Sequence, residues 1–166
     1  MTPQRPCRQQ GFTLIEALIV VALVGVLLTI AVPSFVSFTA NQRVKSASFE
    51  LYAALSFARS EAIKRRSEVT VRPASGTDWA TGWTVSCVGC TPTPLRAQDA
   101  LTAVAFSSST TTTAVVYRRD GRLTSGPQFL LIKPAVANSV VKNRCIRVDL
   151  IGLAKSTEIR SDATCP

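Results

Sequence analysis

The chain has 166 residues, a formal net charge of +9 and 46% hydrophobic residues, which fits one modest domain together with a membrane anchor. It contains no histidine, and this excludes Ser-His and Cys-His nucleophilic sites and the commonest metal ligand. Paired carboxylates, a glycine-rich phosphate loop and metal-ligand spacings are also missing from the sequence, so we predict a protein that is not an enzyme and that holds no cofactor or metal.

The N-terminus combines a basic leader with a long apolar run. Residues 1–11 are polar and carry Arg5 and Arg8, and the run that follows, from Phe12 to Val32, contains a single charge. About 20 apolar residues span a bilayer as a helix. Because the basic residues precede the run, the positive-inside rule places the N-terminus in the cytoplasm.

The single charge in this run is Glu16. A carboxylate at the centre of a membrane helix costs about 2.5–3.5 kcal/mol on insertion scales, so such residues usually mark function. The alternative is an ordinary secretory signal, but the run is longer than the usual apolar region and no small-residue cleavage site clearly follows it.

A second helical segment follows Pro33, which should kink or locally open the helix. Glu61 precedes Arg65 by four residues, a favourable spacing for an ion pair. Apolar residues at spacings of three and four predict one buried face: Val44, Ala47, Leu51, Leu55, Ala58 and Ala62. We therefore expect one long helix over residues 12–66, a membrane anchor followed by an amphipathic half that packs against a sheet.

The remaining sequence predicts β-strands. Six runs are candidates: residues 69–72, 83–86, 103–106, 114–118, 129–133 and 145–150. Asp120-Gly121 is a hairpin turn signal between two of these runs, and the run 107–113 predicts an exposed loop. The fold class is accordingly α+β, with a long N-terminal helix packed on an antiparallel β-sheet head.

Five cysteines are present. Cys7 lies in the leader, and an even set of four remains in a head that would face an oxidising compartment, which suggests two disulfides. Three pairings are possible, and we favour Cys145 with Cys165 and Cys87 with Cys90. Zinc would need a second C-x-x-C pair or histidines, and a redox Cys87–Cys90 pair lacks a βαβ setting.

The N-terminus resembles that of type IV pilins and pseudopilins. The sequence from Gly11 to Glu16 reads GFTLIE, followed by the apolar run and Pro33. The resemblance implies that a prepilin peptidase cuts after Gly11 and methylates Phe12. It also implies that Glu16 pairs with the Phe12 ammonium of a neighbouring subunit during assembly, since neither charge is stable alone in a low-dielectric filament core.

The head resembles the minor pilin and pseudopilin group that contains FimT and GspH. Three segments carry this likeness: residues 55–65, Asp120-Gly121-Arg122, and residues 143–148 before Cys165. The resemblance implies a leader at 1–11, a transmembrane and assembly helix at 12–33 and a periplasmic head at 34–166, with a helix to about 66 and a β-rich domain over 67–166. The implied partners are other major and minor pilins or pseudopilins, in the bacterial inner membrane and in a pilus or pseudopilus.

Two functions follow from the resemblance. The first is a FimT-like minor type IV pilin that primes or tips a pilus and binds double-stranded DNA without sequence preference during natural transformation. The second is a GspH-like minor pseudopilin of the type II secretion system. The basic excess favours the first, because non-specific DNA binding depends on Lys and Arg near phosphates.

Two groups of basic residues are candidates for DNA contacts. One lies near the C-terminus and comprises Arg144, Arg147, Lys155 and Arg160; the other flanks the predicted turn and comprises Arg118, Arg119 and Arg122. DNA-binding relatives resemble one another in a Gly-Arg-x-Arg motif, and the matching positions here, from Gly152 to Lys155, read Gly-Leu-Ala-Lys.

Overall fold

The computed structural model describes residues 12–108 and 113–165. Gly11, Cys7 and residues 109–112 of the predicted 107–113 loop lie outside the described residues, whereas residues 107 and 108, predicted as loop, are the end of a β-strand. The elements, in chain order, are α1 (Leu14–Arg65), β1 (Val69–Ser75), β2 (Asp78–Cys87), β3 (Arg96–Gln98), β4 (Val104–Ser108), β5 (Val115–Tyr117), β6 (Gln128–Pro134), β7 (Asn143–Val148) and β8 (Ala154–Ile159). The chain divides into two compact units between Val36 and Ser37.

The first unit is the N-terminal part of α1. Its 18-residue window of mean hydropathy 2.8 makes the helix long and apolar enough to cross a membrane. The helix continues through Pro33, so the ring does not end it. Large apolar side chains in this part are exposed, among them Leu14, Val21 and Ile30, and such a surface requires lipid or neighbouring helices to cover it.

The C-terminal unit begins at Ser37 and contains the second part of α1. The apolar stripe predicted from the sequence is confirmed, since all six of its members are buried, with relative exposures of 0–2%. Glu61 and Arg65 form the expected pair, with 2.5 Å between Arg65 Nε and Glu61 Oε2.

Two four-stranded antiparallel sheets complete the C-terminal unit. One has the order β3-β2-β1-β5 and the other β4-β6-β7-β8. The buried face of α1 shares a single core with both sheets, to which Trp83, Leu130 and Ile146 contribute. The predicted α+β fold class, a long N-terminal helix packed on antiparallel β-structure, is therefore confirmed, with two sheets in the place of one.

The strand pairing departs from the predicted hairpin. The turn at Asp120–Gly121 is present, because the Gly121 N–H donates to the Arg118 carbonyl at 2.8 Å. However, β5 pairs with β1 in one sheet and β6 pairs with β4 and β7 in the other. A short hairpin does form after the turn: the Arg118 N–H donates to the Arg122 carbonyl at 2.8 Å, the Thr124 N–H donates to the Val116 carbonyl at 3.0 Å, and Tyr117 bridges to Leu123. A local turn signal fixes a reversal of the chain and not the partner of the next strand.

Two strands, β3 and β8, were not predicted. Residue 103 was expected to begin a strand, yet Ala103 has a φ of 61° and β4 begins at the next residue. Similarly, Leu150 was expected to end a strand, but β7 ends at Val148 and a turn closed by Gly152 leads into β8.

Candidate functional site

The start of α1 holds the residues expected to act in processing and assembly. Phe12 precedes the helix and is 73% exposed, and Glu16 lies in the first helical turn. A carboxylate in that position interacts favourably with the positive end of the helix dipole. Both residues are therefore accessible to a neighbouring chain.

Thr13 is a member of this site that the sequence reading missed. The Glu16 N–H donates to Thr13 Oγ1 at 3.3 Å, and the Ala17 N–H donates to the Thr13 carbonyl at 3.2 Å. Thr13 thus caps α1, and the spacing Thr-x-x-Glu is that of a capping box. This spacing could have been recognised in the sequence and would have placed the start of the helix at Leu14.

Three of the four C-terminal DNA candidates lie beside carboxylates. Arg144 Nη2 is 3.2 Å from Glu158 Oε2, Arg147 Nε is 2.7 Å from Asp149 Oδ1, and Arg160 Nε is 3.5 Å from Asp162 Oδ1. Lys142 contacts the same Glu158, and its hydrogen bond holds the pKa of that carboxyl below its usual value. The local positive field of this group is consequently reduced.

The sheet brings two of these candidates together on its outer face. Arg147 pairs with Lys155 across β7 and β8 and with Phe129 across β6 and β7. The Arg147 guanidinium lies over the Phe129 ring, 5.5 Å from its centroid, a cation–π geometry. Arg144 lies on the opposite face of the sheet, since neighbouring residues of a strand point to opposite sides.

The turn candidates are arranged differently. Arg118, Arg119 and Arg122 are all exposed, and within residues 12–108 and 113–165 no ion pair involves them. Asp120 is the carboxylate in the turn, and its Oδ1 accepts a hydrogen bond from the Arg122 backbone N–H at 3.1 Å. We refer to these three arginines as the turn patch.

Two disulfides are present, Cys87–Cys90 and Cys145–Cys165, with Cα–Cα distances of 5.4 and 5.5 Å. These are the pairs that the sequence favoured. The second disulfide joins β7 to the segment after β8 and buries Cys145. Among the described residues, no group of three or more acidic or cysteine side chains could hold a metal ion.

Comparisons of the sequence with known families identify two matches. Residues 47–152 match the model of the type II transport protein GspH family, and residues 6–32 match the prokaryotic N-terminal methylation motif. The methylation motif and the apolar helix together indicate a membrane-anchored subunit.

Individual relatives are pilins. A fimbrial protein of Pseudomonas aeruginosa is 37% identical over 78 residues, 47% of this chain and 51% of that protein. The major component of the type IV narrow pilus of Thermus thermophilus is 34% identical over 84 residues, 48% of this chain and 72% of that protein. The chain thus spans about half the length of the Pseudomonas relatives it matches.

Solved structures show the same fold. The type IV minor pilin FimU of Pseudomonas aeruginosa aligns with a TM-score of 0.59 at 21% identity, over 76% of this chain and 95% of FimU. The minor pseudopilin EpsH of the Vibrio cholerae type 2 secretion system aligns with a TM-score of 0.53 at 14% identity, over 73% of this chain and 99% of EpsH. At these identities the likeness concerns the fold alone.

Proposed function

The chain belongs to the GspH family, and from that premise we propose that it is a minor type IV pilin, a structural subunit that primes or tips a filament in the manner of FimT and not an enzyme. The observation that carries this proposal is the exposed apolar helix with one carboxylate in its first turn. A surface of that kind is stable only in lipid or among similar helices.

The proposal includes the processing of the N-terminus. The chain enters the inner membrane with Arg5 and Arg8 on the cytoplasmic side and its head in the periplasm. A prepilin peptidase then cuts between Gly11 and Phe12 and methylates Phe12. The match to the methylation motif over residues 6–32 supports this order of events.

Assembly rests on Glu16. After cleavage the new Phe12 ammonium of one subunit meets the Glu16 carboxylate of its neighbour as the helices leave the lipid. Each charge would be costly alone in a low-dielectric core, and pairing offsets that cost. Pro33 lies in the same continuous helix and removes one of its backbone hydrogen bonds, so we expect the helix to open there during assembly.

The test replaces Glu16 by alanine in the chain's natural host. Glu16→Ala should insert into the membrane normally, because a charge is removed from the apolar run, while incorporation into sheared filaments is lost. Glu68→Ala removes an exposed carboxylate from the C-terminal unit and serves as the control. Normal incorporation of Glu16→Ala would contradict the pairing.

The alternative is a minor pseudopilin of a type II secretion system, which the family description favours. A type IV pilus system produces surface pili, whereas a type II secretion system exports proteins from the periplasm. Deletion of the gene should abolish surface pili if the chain is a pilin. Intact pili together with retention of secreted proteins in the periplasm would identify the pseudopilin.

A second candidate function is non-specific binding of double-stranded DNA during natural transformation, and the turn patch is the observation that favours it. Its three exposed arginines have no carboxylate partner among the described side chains, so their charges remain available for phosphates. The C-terminal candidates Arg144, Arg147 and Arg160 are already paired.

A polarisation titration with a 20-base-pair duplex at low salt tests DNA binding. Affinity should fall with salt at a log–log slope of about 0.9 per phosphate contacted. Replacing Arg118, Arg119 and Arg122 by serine should flatten this slope, whereas replacing Arg144, Arg147 and Lys155 by serine, the control, should change it less. Absence of binding at concentrations up to about 100 μM, the weak end of non-specific affinity, would rule out this function.

A further inference from the structure

Strand β8 is an open edge of its sheet. The order β4-β6-β7-β8 gives β8 a neighbour on the β7 side, and no other described strand pairs with it. An edge strand presents unpaired N–H and C=O groups, which can template the addition of another strand. Four of the six residues of β8, AKSTEI, are polar, and Lys155 and Glu158 are exposed.

The register shows which groups point outward. The Asp149 N–H donates to the Leu153 carbonyl at 3.0 Å, and this pair continues the register in which Val148 faces Ala154. Bonded and non-bonded pairs alternate along an antiparallel ladder. Lys155, Thr157 and Ile159 therefore bond to β7, while the residues between them direct their N–H and C=O groups away from it: Ala154, Ser156 and Glu158.

A groove of about 720 Å³ runs along this edge, between β8 and the second part of α1. Phe49 and Tyr52 from α1 form one wall, and both are exposed, Phe49 by 71%. Ser48 and Ser156 connect the helix and the strand at the floor, with 2.7 Å between their hydroxyl oxygens. We call this feature the β8 groove.

The β8 groove is basic. Of the described residues that line it, Lys45, Arg144 and Lys155 are basic, and none is acidic. Arg144 is paired with Glu158, and the Lys155 side chain shares the outer face of the sheet with Arg147, so Lys45 is, among these described residues, the unpaired basic side chain on the helix side of the groove. Glu158, a carboxylate on β8 itself, already forms ion pairs with Lys142 at 2.6 Å and with Arg144 at 3.2 Å. A second copy of this chain, with a net charge of +9, would bring the same basic surface, so charge complementarity selects an acidic partner.

We propose that the β8 groove binds an extended, acidic segment of another protein, which adds as a fifth strand to the sheet. The outward peptide groups of Ala154 and Ser156 form the ladder, while alternate side chains of the segment reach Lys45 or pack on Phe49. A DNA phosphate could contact Lys45, but DNA has no peptide groups to form hydrogen bonds with the outward N–H and C=O groups of β8. A protein segment therefore fits the observations better. The proposal holds whichever machine the subunit joins.

Hydrogen exchange tests the ladder directly. The probe is a ten-residue peptide in which glutamate alternates with valine and threonine, added to the full-length chain in zwitterionic micelles. Binding should slow exchange at the amides of Ala154, Ser156 and Glu158, while those of Lys155 and Thr157, bonded to β7, change little. A copy of the peptide with alternate amides N-methylated cannot form a ladder and should not protect them.

Substitutions distinguish the contribution of the β8 backbone to peptide binding from that of the basic side chains. Ala154→Pro removes an outward N–H at the first residue of the strand, where proline is tolerated, and should weaken peptide binding about tenfold, one lost bond plus the ring's obstruction. Ala154→Val keeps the N–H and should bind as the wild type does. Lys45→Glu should also weaken binding, and Arg72→Glu, an exposed cation on β1, should not.

Three results would overturn the proposal. One is equal binding of the N-methylated peptide, and another is unchanged affinity in Ala154→Pro. The third is displacement of the peptide by duplex DNA together with unaltered exchange at the outward amides, which would show a general polyanion surface instead of a strand-addition site. None of these results bears on filament incorporation, so the proposed function would stand or fall separately.

Discussion

Arg59 in α1 donates its Nε hydrogen to the carbonyl oxygen of Gly121 at 3.1 Å. This hydrogen bond connects α1 to the turn on which the turn patch lies. Gly152, in the turn between β7 and β8, approaches the same carbonyl so closely that an added Cβ would overlap it, and that Cβ would lie 3.2 Å from Arg59 Nε. Two surface turns and the helix therefore meet at one point.

This meeting point predicts that Gly152→Ala is destabilising. Gly152 has a φ of +80°, and a Cβ there would displace backbone atoms of Gly121. Strain of this kind costs about 1–3 kcal/mol, so the unfolding temperature should fall. Gly126→Ala is the control, since a Cβ at Gly126 meets nothing within 4 Å. Equal unfolding temperatures for the two variants would contradict the close approach.

The second part of α1 was predicted well from the sequence, because its buried face repeats apolar residues at the spacing of a helix. Leu51, Leu55 and Ala58 repeat at helical spacing, and each lies in the core. Strand β8 has no such signal. Ser156 faces the helix through a hydroxyl contact with Ser48, and the residues on either side of it are polar, so the strand shows no apolar alternation.

The candidate sites were only partly predictable for a related reason. Glu16 could be identified as a candidate from the sequence, because it is the single charge in a long apolar run. The clustering of Phe129, Arg147 and Lys155 depends on strand register, and the pairing of Arg147 with Asp149 depends on a turn. Register and turn geometry are set by tertiary packing, which a single sequence does not state.

The two disulfides should contribute unequally to stability. Replacing Cys145 and Cys165 together by alanine should lower the free energy of unfolding by about 2–5 kcal/mol, the usual range for small exported domains. The Cys87–Cys90 bond spans a sequence separation of 3, against 20 for the other, so its removal relaxes the unfolded chain less and should cost less. Denaturant titrations of the two double variants compare them directly, and the reverse order would contradict the entropic argument.

Glu61 should make stability depend on pH. The hydrogen bond from Arg65, with help from the nearby Lys64 charge, holds the pKa of Glu61 below its usual value. A depressed folded-state pKa contributes stability above the unfolded value, about 4.3 for Glu. This contribution is lost as the pH falls through the folded pKa.

Glu61→Gln removes this contribution. The wild type should unfold at a higher temperature than the variant above about pH 5, and the difference should shrink as the pH falls below the unfolded value of about 4.3. Glu68→Gln, at an exposed carboxylate beyond the helix, is the control and should show no such convergence. A constant difference across the whole pH range would assign the effect of Glu61→Gln to packing instead of charge.

The most direct measurement of the central claim is mass spectrometry of the N-terminus of the chain recovered from sheared filaments of its natural host. We predict that the chain begins at Phe12, that its amino group carries one methyl group, and that Gly11 and the residues before it are absent. Three results would contradict the assignment as a processed filament subunit: an intact leader, a cut after Ala31 near the end of the apolar run, as expected for an ordinary secretory signal, or an absence of the chain from the filament fraction.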